Sequence, residues 1–108
     1  YRGNNNSDGP FVYTGFRPAF VIIKDSGSGQ HWHIIDNKRD PFNDNAAAQV
    51  TANTSSAESA VASDRGALPL DLLSNGFKLR GSNNDTNHSA GFIYLAFAES
   101  PFRNARAR

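Results

Sequence analysis

Cysteine is absent from this 108-residue chain, and methionine with it. The first absence excludes disulfides and thiolate metal sites. Stability in so small a domain must then come from its core or from association with other copies. The second absence leaves no initiator residue, which reads as a fragment of a longer polypeptide or a processed product. No stretch approaches the ~20 apolar residues of a membrane-spanning helix, and no signal peptide is visible. Charge of either sign is in short supply too, 11 basic against 10 acidic residues for a net +1. Only Arg103, Arg106 and Arg108 cluster, whereas a nucleic-acid binder concentrates its positive charge, so that class is disfavoured. Glu58 and Glu99 are the only glutamates, so a glycosidase pair would have to recruit aspartates. No Gly-x-Ser-x-Gly nucleophile elbow appears either. Neither enzyme activity nor a bound cofactor is expected.

What is present is aromatic. Hydrophobic content is 38%, against about 45–50% in a typical domain. Eight residues are Phe, each able to bury roughly 150–250 Å². A thin β-sandwich suits a core of a few large rings between polar loops, and the low apolar share hints that a partner chain supplies part of the burial. The length bounds the chain to one domain, residues 1–108.

Along the chain, residues 3–9 read as a loop and Phe11 to Tyr13 as a short strand. Pro18 favours extended backbone before it, and Ala19 to Lys24 follows as a strong strand whose run Phe20-Val-Ile-Ile suggests burial on both faces. After a Ser/Gly turn, His31 to Asp36 forms the second arm of an antiparallel hairpin. In it Trp32 and Ile34 share one face, and His31, His33 and Ile35 the other. Residues 46–65 are dominated by alanine, serine and threonine and read as a surface excursion. Ala46 to Val50 could be a helical turn or a weak edge strand, and Ser55 to Glu58 has the form of a capping box. Asn75-Gly76 between apolar segments predicts a hairpin turn, since both residues accept positive φ. Phe77 and Leu79 then point one way, Lys78 and Arg80 the other, and Pro69 places the partner strand at a sheet edge. Phe92 to Ala98 is apolar on both faces and is expected in the centre of its sheet. The expected fold is all-β, an antiparallel, jelly-roll-like sandwich of five to six strands with long polar loops.

Three sets of residues invite a functional reading. His31 and His33 put two imidazoles on one strand face, but a metal would need a third ligand, such as His88 or Asp40; the plainer reading is a polar strand face, and no metal is expected. Asp36, Asp40 and Asp44 could cage calcium, yet their spacing lacks the glycine and closing glutamate of an EF-hand, and turn-capping is the ordinary use of such residues. The loops at 3–9, 36–45 and 81–91 offer amides and carboxylates for a glycan, with Asn43, Asn83, Asn84, Asp85, Asn87 and His88 as the candidate ligand-binding residues. Trp32, between two histidines in a strand, is expected in the core rather than as a sugar platform.

Several blocks, in this order, resemble a C-terminal module of tail fibres and related structural proteins of tailed, especially marine, bacteriophages. They are Asp8-Gly-Pro-Phe-Val-Tyr-Thr-Gly-Phe-Arg-Pro-Ala-Phe, Trp32-His-Ile-Ile-Asp, Arg39-Asp-Pro-Phe-Asn, Leu73-Ser-Asn-Gly-Phe-Lys and Ile93-Tyr-Leu-Ala-Phe-Ala-Glu. The resemblance covers most of the chain, but not the His31/His33 pair or residues 46–65. It implies a virion structural module, made in the bacterial host cytoplasm, homotrimeric, in contact with other virion proteins and attached to a bacterial surface glycan. Membrane insertion is not implied. Phe20, Ile22, Trp32, Ile34, Leu79, Tyr94 and Phe97 would serve the core or the subunit contacts. Two other readings remain open, a monomeric carbohydrate-binding module of a larger secreted protein and a ligand-free capsid or tail decoration.

Overall fold

The computed structural model describes residues 1–43, 48–58 and 68–100. Asp44, much of the 46–65 excursion and the Arg-bearing tail lie outside them. Among the described residues seven strands form: β1 (Phe11–Tyr13), β2 (Pro18–Asp25), β3 (His33–Asp36), β4 (Gln49–Thr51), β5 (Leu70–Leu73), β6 (Gly76–Leu79) and β7 (Phe92–Ala98). All pair antiparallel. A three-stranded sheet ordered β1-β6-β5 packs on a four-stranded sheet ordered β4-β3-β2-β7. This is the expected sandwich, with seven strands in place of five or six.

The interior is a single layer. Alternation along β2 turns Val21 and Ile23 inward, both fully buried, against Phe77 and Leu79 of β6 and Leu70 and Leu72 of β5. Large rings close the layer at one end. Tyr1 stacks on Phe92 at 5.0 Å and meets the edge of Phe77 at 5.9 Å, and Phe77 meets Tyr94 at 5.3 Å. Edge-to-face and offset contacts of this kind add about 0.5–1.5 kcal/mol each beyond the area they bury. The backbone of Tyr1 accepts from Phe92 N–H at 2.8 Å, and Gly3 N–H donates to the Ala90 carbonyl at 2.9 Å. The ring cluster is thereby laced to the sandwich by main chain as well as by side chains.

Four expectations are corrected. The β5–β6 turn is Ser74-Asn75, not Asn75-Gly76: Leu73 pairs with Gly76, and neither Asn75 nor Gly76 has positive φ. Gly76 is instead required by crowding, since a Cβ there would lie 2.1 Å from the Val12 carbonyl oxygen on β1. Strand β7 is at a sheet edge and not in the centre; its second apolar face is open, which gives the same two-sided pattern as burial between neighbours. The run in β2 is not buried on both faces, because Phe20 and Ile22 point outward and are only partly covered. Trp32 is not a core residue either; it lies 39% exposed on the outer face, while His33 is turned inward. In the excursion, Gln49–Thr51 is an edge strand as one of the two expectations had it, and Ser55 to Glu58 is not helical.

Phe77 lies at the centre of the ring cluster with no accessible surface. Phe77→Ala should therefore destabilise the domain by about 3–5 kcal/mol. Urea unfolding at an unchanged m-value checks this, and a loss below 1 kcal/mol would contradict the packing.

Candidate functional site

One end of the sandwich gathers the loops that leave β2, β4 and β6. All three histidines lie there, two at the start of β3 and one in the β6–β7 loop. Each is held differently. His33 is buried and its Nδ1 lies 2.7 Å from Gln49 Oε1. Its Nε2 has no hydrogen-bond partner and faces the Asp85 carboxylate at 3.8 Å. His31, on the same strand face, has its ring centre 6.4 Å from that of His33 and shares Nδ1 with the Asn53 amide at 3.1 Å. His88 lies 2.6 Å from Asp25 Oδ2 and rests edge-on against Phe92.

Asp25 builds this end. It is 1% exposed, and its carboxylate accepts from the Ser28 hydroxyl, from Gly27 N–H at 2.8 Å and from His88. These bonds, the Ser28 one foremost, hold its carboxyl well below the usual range. Burial, with Asp25 nearby, pushes the Tyr1 hydroxyl upward, and it donates to the Thr86 carbonyl at 2.6 Å.

The six residues expected at a ligand site separate into two groups. Asn87 is wholly buried and spreads its amide over Asn6 O, Gly81 O and Asn4 Oδ1 while accepting from Asn4 N–H at 2.9 Å. It fastens the N-terminal loop to the β6–β7 loop. Asn43, at the other end, bonds both backbone groups of Leu72, donating at 3.2 Å and accepting at 3.0 Å. His88 belongs to the Asp25 network. Asn83, Asn84 and Asp85 do come together. With Gln30 and Ser82 they line an open polar concavity of about 430 Å³. Its floor is preorganised: Asp85 N–H donates to Asn83 Oδ1 at 2.7 Å, and Asn87 N–H to the Asn83 carbonyl at 2.8 Å.

Gln30 escaped the sequence reading, and Ser82 lay in the 81–91 loop without being singled out. Only the strand order sets the β2–β3 loop beside the β6–β7 loop, and neither residue belongs to a motif. A polar residue just before the paired histidines was the one available signal.

The third ligand that a metal at His31 and His33 would need is not supplied by the residues named for it. His88 is engaged by Asp25, and Asp40 bonds Phe42 and Ala48 N–H at the opposite end. Among the described residues no three histidine or carboxylate groups converge on a point that could hold an ion. Asp36 caps its own turn through Lys38 and Arg39 N–H. The other lowered carboxyls are exposed ion pairs: Asp8 with Lys78 at 2.7 Å and Glu99 with Lys38 at 2.8 Å.

The model of a domain-of-unknown-function family, DUF7483, matches residues 1–101. The chain belongs to that family. No curated protein and no solved structure matches it. In this DUF7483 domain the matched span takes in both sheets and the whole loop end.

The buried histidine makes the domain sensitive to acid. Burial disfavours the charged ring and holds His33 below the usual histidine value, with Gln49 and Asp85 opposing and His31 and Lys24 assisting. The unfolded chain takes up a proton near pH 6.5 that the folded chain refuses, so stability present above that pH is lost as pH falls through it. Ring NMR should find His33 still neutral somewhat below about pH 6.5. The stability difference between wild type and His33→Gln should shift against wild type between about pH 7.5 and 5.5. A second loss, from Asp25, should follow below about pH 3.9. An upward-shifted His33 would contradict the geometry.

Proposed function

We propose that this domain is a structural module of a bacteriophage virion, in the distal part of a tail fibre or spike, that assembles as a homotrimer and attaches to a bacterial surface glycan. The observation that carries the attachment reading is the concavity between Gln30 and Ser82, Asn83, Asn84 and Asp85. A glycan presents many hydroxyls that both donate and accept, and it is held by amides and carboxylates fixed in advance. The loop hydrogen bonds supply that fixity, so little ordering entropy is lost when a sugar settles. The resemblance of the sequence blocks to fibre modules supports the virion setting.

The lining argues for adhesion over hydrolysis. Glycoside hydrolysis ordinarily takes a pair of carboxyl groups, and a single carboxylate, Asp85, lines the concavity.

The test is binding of the 108-residue chain to an array of bacterial surface polysaccharides, followed by calorimetry on any hit. Gln30→Ala and Asn84→Ala should each weaken binding by about three- to tenfold, the loss of one or two net hydrogen bonds, with an unchanged thermal midpoint. A folded, oligomeric wild type that binds nothing on the array would replace attachment with a ligand-free decoration role.

A further inference from the structure

The outer face of the four-stranded sheet is apolar where an open sheet face is ordinarily polar. Ile22, Trp32, Ile34, Ile93, Leu95 and Phe97 lie on it in register: Ile22 pairs with Ile34 on one side and Leu95 on the other, and Phe20 pairs with Phe97. Ile93, Leu95 and Phe97 are 54%, 55% and 54% exposed, and Trp32 39%. A contiguous exposed apolar patch rimmed by polar residues is the ordinary mark of an interaction surface. A standard protein–protein contact takes about 800 Å² from each partner, and this strip would form its apolar centre.

We infer that this face is covered by a second copy of the chain, a reading that rests on the homo-oligomeric module proposed above and names the surface it uses. The face has two complementary parts. Ile22, Trp32, Ile93, Tyr94 and Leu95 enclose a hollow of about 160 Å³, and an apolar cavity near 150 Å³ accepts a benzene-sized group. The Phe97 ring projects beside it, held edge-on by Phe20 at 5.9 Å. A ring on one copy and a hollow on the next make a head-to-tail contact, which closes into a ring of subunits when the rotation allows. Strand β7 adds the last reason. Beyond Phe92, whose two backbone groups bond Tyr1, its outer edge has no partner strand among the described residues, and Phe92–Ala98 contains no charge or proline of the kind that protects such edges.

The test is the oligomeric state of the 108-residue chain by light scattering, read alongside the fluorescence of Trp32, the chain's single tryptophan. Wild type should have the mass of an oligomer at tens of micromolar, and dilution should shift Trp32 emission to longer wavelength in step with dissociation. Leu95→Asp and Phe97→Asp should be monomers with unchanged circular dichroism, and Asn84→Ala should stay assembled. A monomeric wild type would overturn this inference and the oligomeric module together. An oligomer that survives both aspartate variants, or that dissociates with no change in Trp32 emission, would overturn the face and leave the oligomeric reading standing. Should the aspartate variants fail to fold, the dilution experiment on wild type decides alone.

Discussion

The contact on which this structure depends is the ring cluster of Tyr1, Phe77, Phe92 and Tyr94. Two small sheets enclose one layer of side chains, and that layer contains few large residues. The rings supply its bulk at the end where the loops are longest. They also bind the start of the chain to β6 and β7, residues far apart in sequence. Loss of this seam would expose the interior and release the N-terminal loop, and with it the partner of the β6–β7 loop. The polar end of the domain therefore owes its shape to an apolar contact beneath it.

Above that seam, single polar side chains do what regular secondary structure does elsewhere. Asn87 satisfies the backbone of two loops at once, and Asp25 orders the β2–β3 turn while holding His88. Buried backbone groups need partners, and loops without a ladder must find them in side chains. This explains why so many asparagines and aspartates occur in the chain. Several of them are committed in this way, Asn83 at the concavity included.

Much of the fold was legible in the residues. The apolar pattern located β1, β2, β3, β6 and β7, and period-2 alternation grouped the faces of β3, β6 and β7 correctly, because a strand must separate its side chains that way. The sign of that alternation was not legible in β3. Trp32 has the larger apolar surface, yet His33 turns inward because Gln49 of β4 waits there with an acceptor, a neighbour known only once the sheet is assembled. The place of β7 was hidden for a related reason: a strand between two neighbours and a strand with one bare face carry the same apolar pattern. At the loop end, Asn84 and Asn87 are chemically identical, and only the path of the chain leaves the first at the surface and the second inside. The hairpin turn was misjudged by one residue because glycine's tolerance of positive φ masked its other virtue, the absence of a side chain where β1 crosses close.

Asn43 has a consequence for the opposite rim of the molecule. Its amide occupies both outward backbone groups of Leu72 in β5, as a neighbouring strand would, but it is one residue long and offers nothing to extend. Any foreign strand docking on that rim must first evict it and give up two hydrogen bonds already made. The β5 edge is thus stoppered against templated, amyloid-like growth.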